Sequence, residues 1–284
     1  MKLWGIKDIK HFMKDYILQN KEYLSGKIIV DIPAGSGFTS KLLQEVGAVV
    51  EAYDLFPEFF TFRGVVVRKA DISEKLPIKS SHADIVLFQE GIEHLPDQLH
   101  ALNEVNRILK LGGSLLITTP NYSSMRSKIS NLLNESEFYK LMPPNQIESI
   151  WFSDRNGDGR RVYYGHIYLI GLHKLRLLAL LSGLKIRKIH HTRVNKTSLL
   201  LLLLFYPLVV FSSYCAYRRS MRKNNQIPST IRKRILRESL KLQIDPRILV
   251  DGHLFVEFEK FCELDDVIDE IDVFHKYEKA GFQT

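Results

Sequence analysis

The chain has 284 residues, 45% of them hydrophobic and 25% charged, enough apolar mass for a buried core and too much for a disordered chain. Its two cysteines, Cys215 and Cys262, are far apart and lack metal-ligand spacing, which points to a reducing compartment rather than a disulfide framework or a cysteine-built zinc site. The formal charge of +8 is local: nine basic residues against one acid between Arg218 and Lys241 account for all of it.

Residues 1–26 read as an amphipathic helix, without the apolar run or cleavage site of a secretory signal. From 27 to 120, short β-rich runs at 28–31, 49–54, 65–69, 85–89 and 114–118 alternate with helical patterns at 39–46 and 98–109. That alternation predicts βαβ units, an α/β fold with a doubly wound and mostly parallel sheet. Gly112 and Gly113 turn the chain into the fifth strand. Residues 121–170 lose periodicity at Pro143-Pro144 and again at 154–160, and read as a lid-like insertion on the substrate side. A helix at 172–181 and a sixth strand at 184–190 follow within a segment 171–196. A seventh strand is expected at 253–260 within 243–262, and an acidic helix at 263–284.

The first strand ends in Asp31, and the turn Ile32-Pro33-Ala34-Gly35-Ser36-Gly37 leads into a helix. A strand, a tight glycine turn and a helix N-terminus make a nucleotide site, because glycine lets the backbone approach a ligand closely. Such a turn serves NAD, FAD or S-adenosylmethionine, or simply joins a strand to a helix. Asp54 closes the second strand, Asp71 and Ile72 follow the third, and Gln89 closes the fourth, all at the edge where open α/β sheets bind ligands. Taken one at a time, Asp54 and Asp71 read equally well as polar loop caps. An NAD site is disfavoured, since the third glycine of its fingerprint would fall at Ser40.

Five stretches, VDIPAGSG (30–37), AYDL (52–55), KADISEKLP (69–77), DIVLFQEGIEHL (84–95) and LNEVNRILKLGGSLLITTPN (102–121), together resemble the class I methyltransferases. The resemblance implies a Rossmann-like sheet of seven strands with an antiparallel C-terminal strand, and here an apolar insertion between the sixth and seventh. It implies S-adenosylmethionine as cofactor, with Gly35 and Gly37 flanking its methionyl part, Asp54 on the ribose and Asp71 with Ile72 at the adenine. Asp31 and Gln89 complete the expected cofactor set. Pro33 departs from the family, which usually has glycine there; proline fixes φ and removes an N–H, so the turn is reshaped.

Amino-group methylases often carry Asn or Asp before Pro-Pro-Tyr or Pro-Pro-Phe after the fourth strand. Residues 89–94 read QEGIEH instead, which favours an oxygen or carbon acceptor. Glu90, Glu93 and His94 are similar to the stretch of ubiquinone O-methyltransferases, where a divalent metal such as Mg²⁺ can acidify a hydroxyl. The stronger reading is that they only shape the cofactor pocket, as Glu-His-Leu often does in the family that the chain resembles. His94 is one candidate general base; His166, from the insertion, is the other, or is packed among Tyr163 and Tyr164 as structure.

Residues 197–217 are uncharged, long enough for a membrane span. A single crossing would separate two strands of one sheet, so the segment 197–242 is expected to form an apolar hairpin broken at Pro207, followed by a basic amphipathic helix at a membrane surface. A core helix, a dimer interface or a nucleic-acid patch are the alternatives, with nucleic acid disfavoured beside so many leucines. The acceptor is then a membrane-associated small molecule: a lipid, a prenylated quinone precursor or a lipid-linked glycan, met at the cytoplasmic face of the membrane. The competing reading is a non-catalytic methyltransferase-fold adaptor or partner subunit.

Overall fold

The computed structural model describes residues 9–138, 141–153, 161–223 and 227–272. The first half runs α1 (Ile9–Gln19), α2 (Lys21–Leu24), β1 (Ile28–Asp31), α3 (Phe38–Glu45), β2 (Val49–Asp54), β3 (Val67–Lys69), β4 (Ala83–Gln89), α4 (Gln98–Ile108) and β5 (Leu109–Pro120). The second holds α5 (Met125–Asn134), β6 (Ile150–Ser153), β7 (Arg161–Tyr164), α6 (Leu172–Leu181), β8 (Leu184–His190), α7 (Lys196–Arg222), α8 (Ser229–Ile244), α9 (Pro246–Val250), β9 (His253–Lys260) and α10 (Val267–Ile271). The acidic helix expected at 263–284 is described only through α10; residues 273–284 lie outside the described residues.

Seven strands form one sheet in the order β3-β2-β1-β4-β5-β9-β8, with β9 antiparallel to both neighbours. The central strands read as continuous apolar runs because both faces are covered. Along β4, Ile85 and Leu87 pack with Met13 and Ile17 of α1 and Leu43 of α3. Val86 and Phe88, on the opposite face, meet Leu102 and Val105 of α4 and Leu172 and Leu175 of α6. Asp97 caps α4 by accepting from the His100 N–H at 2.9 Å. At the far end of α4, the buried Asn106 amide donates to the carbonyls of Ser182 and Cys262, tying the last strands to the first half.

The helix expected over 1–26 is the pair α1 and α2, with residues 1–8 outside the described residues, and the third strand is only Val67–Lys69; three further departures are larger. β5 starts at Leu109 instead of after the glycines: Ala83 pairs with Leu109 and Ile85 with Ser114, so Gly112 and Gly113 lie in an irregularity within the strand. A Cβ on Gly113 would sit 2.8 Å from the Lys110 carbonyl, which is why glycine is needed there. The insertion carries a two-stranded sheet, β6 with β7, on either side of the undescribed 154–160. Finally, the hairpin does not break at Pro207. α7 continues through it, because a proline costs the helix one hydrogen bond while the leucines on both sides favour helix. α8, which begins at Ser229, packs back against α7, with Tyr206 of α7 hydrogen-bonded to Ile244 at its far end.

Candidate active site

The carboxyl ends of β1, β2, β3 and β4 bring the predicted cofactor residues to one edge. Asp31 is fully buried; its Oδ2 accepts from the Ser40 hydroxyl at 2.6 Å, and its Oδ1 has no partner among the described residues. Burial, reinforced by the charge of Asp54, pushes the Asp31 carboxyl up to about 7. Asp54 accepts from the Gly35 N–H at 2.7 Å and from the Phe56 N–H at 2.8 Å, so its carboxylate fastens the glycine turn to β2. An ionised carboxylate offers roughly four acceptor positions, which leaves room for ligand hydroxyls. Asp71 uses Oδ1 to accept from the N–H and hydroxyl of Ser73. The Gln89 amide oxygen accepts from the Thr39 hydroxyl at 3.3 Å.

A cavity of about 540 Å³ opens against this edge, lined by Pro33, Asp54, Asp71 and Ile72 on one side and by Glu90 and His94 on another. Trp151, Tyr163 and Tyr164 of the β6–β7 hairpin form its aromatic side. Asp31, Gly35, Gly37 and Gln89 are not among the residues that line it. The loop after β2 folds back over the glycine turn: both the N–H and the hydroxyl of Thr61 donate to the Ser36 carbonyl, and a Cβ on Gly37 would come within 2.8 Å of the Phe60 ring. Gly37 also has φ of +81°. Gly37→Ala is therefore expected to lower unfolding free energy by about 1–2 kcal/mol, read by chemical denaturation.

The insertion is stitched to the turn at 92–94. The His94 Nδ1 lies 2.7 Å from the Tyr164 carbonyl, the Tyr168 N–H donates to the Glu93 carbonyl, and the Gln98 amide bridges the carbonyls of Ile92 and Tyr168. A carbonyl can only accept, so the His94 Nδ1 carries the proton and Nε2 keeps its lone pair. Burial, with the His166 charge adding to it, holds the His94 imidazole below its ordinary pKa. Glu93 is buried, accepts from the Thr119 hydroxyl at 2.9 Å, and is pushed up to about 7 by burial and by the nearby Glu90 charge. His166 hydrogen-bonds Glu137 at 3.1 Å, which raises its pKa.

The sequence matches the methyltransferase-domain family over residues 7–189. The chain belongs to that family. Among curated relatives, it is 24% identical over 138 residues to the ubiquinone biosynthesis O-methyltransferase of Vibrio vulnificus, covering 45% of this chain and 58% of the relative. It is 32% identical over 116 residues to the enzyme of the same name from Xylella fastidiosa, covering 38% and 47%. The chain thus spans about half the length of the curated relatives it matches. In fold it is similar to an S-adenosylmethionine-dependent methyltransferase from Archaeoglobus fulgidus, with a TM-score of 0.51 at 14% identity, covering 88% of this chain and 94% of that one.

As a methyltransferase-fold site, the edge fits its cofactor by charge: the unpartnered Asp31 Oδ1 suits the ammonium of S-adenosylmethionine. The expected metal set does not form. Glu90 turns toward His253, 3.4 Å away, and the ligating atoms that come within 4.8 Å of one another belong to Glu93, His94 and His166. One carboxylate and two imidazoles do not fit Mg²⁺, which takes oxygen ligands. His253 and Glu137 were missed by sequence reasoning. His253 was findable, because an antiparallel strand presents its first residue, not its last, at the ligand edge; it pairs with Pro120, the last residue of β5.

Proposed function

We propose that this methyltransferase transfers the methyl group of S-adenosylmethionine to a hydroxyl oxygen, or a carbon, of a small membrane-associated acceptor. The supporting observation is the make-up of the cavity: Asp54, Asp71 and Ile72 line it together with Tyr163, Tyr164 and His94, whose Nδ1 is tied to the Tyr164 carbonyl and whose pKa burial holds below its ordinary value. When bound, the cofactor supplies a methyl group already activated on a sulfonium, so the protein's work is to position and deprotonate the acceptor. Asp31 receives the ammonium, Asp54 the ribose hydroxyls, Asp71 and the Ile72 N–H the adenine edge, with Gly35, Gly37 and Gln89 shaping the slot. His94 takes the proton that the acceptor hydroxyl releases as its new O–C bond forms.

Trp151, Tyr163 and Tyr164 suit the flat face of a phenol or a sugar. The names of the relatives, which belong to ubiquinone biosynthesis, favour a hydrophobic hydroxyl-bearing acceptor such as a prenylated quinone precursor, with a lipid or lipid-linked glycan as the other candidates. Calorimetric titration with S-adenosylmethionine tests the reading. Micromolar binding is expected, weakened at least tenfold in Asp54→Asn, which gives up one charge-assisted hydrogen bond worth roughly 1.5–3 kcal/mol. A well-folded wild type that takes no cofactor would reject the enzyme and favour an adaptor.

A further inference from the structure

The chain leaves the sheet at the end of β8 and re-enters it in the neighbouring strand β9. Between them α7 and α8 fold back on one another. The Tyr206 hydroxyl, midway along α7, donates to the Ile244 carbonyl at the end of α8, 3.0 Å away, and the Arg232 guanidinium donates to the Lys223 carbonyl at the other end. α7 is held to the body through its first turns, where Ser198 Oγ accepts from the Arg126 N–H and Leu202 packs with Met125, Leu249 and Val250.

Leu200, Leu204, Leu208 and Phe211 fall at helical spacing on one stripe, and each is at least 60% exposed. The helix is long and apolar enough to cross a membrane, with 11% of its apolar window buried. Its partner is not: α8 carries Arg232, Lys233, Arg234, Arg237 and Lys241 against Glu238, and none of its residues is buried. A crossing by α7 would oblige α8 to return through hydrocarbon with those charges. A second copy covering the stripe would bring two strongly basic hairpins together, which repel. A bilayer with anionic headgroups satisfies both features at once.

We propose that α7 and α8 form a monotopic anchor, which seats the stripe from Leu200 to Phe211 in one leaflet of an anionic membrane while the basic residues of α8 meet lipid phosphates, without crossing the bilayer. The anchor stands independently of the methyl-transfer reading. It is tested by co-flotation of the full-length protein with vesicles of phosphatidylcholine, with and without phosphatidylglycerol. Strong binding is expected only with the anionic lipid. It should fall roughly hundredfold in the triple variant Lys233→Gln, Arg234→Gln, Arg237→Gln, at about a factor of five for each charge lost, and more than tenfold in Leu204→Glu, Leu208→Glu.

Each variant is checked by circular dichroism and by its cofactor titration, so a misfolded variant is recognised. A cysteine from Ser229→Cys, in a Cys215→Ser background, should react with an impermeant maleimide added on the side from which the protein bound. Protection of that thiol would mean a crossing and overturn the anchor. So would a wild type that stays in the aqueous phase, whether as a monomer or as a dimer that Leu204→Glu dissociates. Vesicle binding by a chain that takes no S-adenosylmethionine would leave the anchor standing and remove the enzyme.

Discussion

His94→Ala is expected to slow methyl transfer by about 100- to 10,000-fold, the range associated with losing a general base, while S-adenosylmethionine binds as in the wild type. The expectation follows from how the ring is held. Its Nδ1–H is committed to the Tyr164 carbonyl at 2.7 Å, which fixes the tautomer and aims the remaining lone pair through Nε2. Burial and the neighbouring His166 charge disfavour the imidazolium, so at neutral pH the ring is ready to accept a proton. Apart from Gln89, which closes β4, the proposed cofactor residues belong to β1, β2 and the loops after β1 and β3, which is why chemistry and cofactor affinity should separate. Single-turnover transfer of a radiolabelled methyl group, with the cofactor titration alongside, measures both. A normal rate in His94→Ala would reduce the residue to a wall of the pocket, and a parallel loss of affinity would point to collapse of the β6–β7 hairpin that it anchors.

Local pattern carried the first half of the fold. β1 and the middle of β4 are covered on both faces, so they read as apolar runs that end in Asp31 and Gln89, whereas β2 is buried only over its last three residues and is marked by Asp54, which closes it. The glycine turn could be read because its residue types are forced by backbone conformation, as at Gly37. The β6–β7 hairpin could not, since its strands are four residues each and short aromatic-polar runs carry little periodicity. Pairings made by tertiary contact were also invisible: Glu137 with His166 is 29 residues apart in sequence, and Glu90 meets His253 only because β9 runs backwards beside β5. Treating Glu90, Glu93 and His94 as one ligand set assumed that nearness in sequence means convergence. A turn of 3₁₀ helix at 92–94 instead sends Glu93 into the core toward Thr119 and leaves Glu90 beside His253. Pro207 misled for the opposite reason, a strong local signal outweighed by its helical surroundings.

Asp31→Asn should make the cofactor-free protein more stable and a poorer binder, two effects with one cause. The buried carboxyl has a folded-state pKa of about 7 against an ordinary value of 3.8, so between those pH values the native state holds a proton that the unfolded chain has released, and stability falls as pH rises. Above pH 7 the full penalty is present, on the order of 4 kcal/mol at about 1.4 kcal/mol for each tenfold change in proton affinity. Asparagine carries no charge, can still accept from the Ser40 hydroxyl, and recovers whatever part of that penalty is not spent on burying its own amide. A rise in Tm of roughly 5 °C is expected at pH 8, shrinking as pH is lowered toward 4. S-adenosylmethionine reverses the balance, because its ammonium offers the ionised carboxylate a partner at the otherwise unpaired Oδ1. Wild-type affinity should therefore strengthen as pH rises through 7, whereas Asp31→Asn should bind about a hundredfold more weakly at pH 8, as when one member of a buried charge pair is removed, and lose most of that pH dependence. Scanning calorimetry and titration at pH 5 and pH 8 distinguish the outcomes. A variant less stable than wild type at pH 8, or one that binds the cofactor normally, would mean that Asp31 is a structural partner of Ser40 and not the group that receives the ammonium.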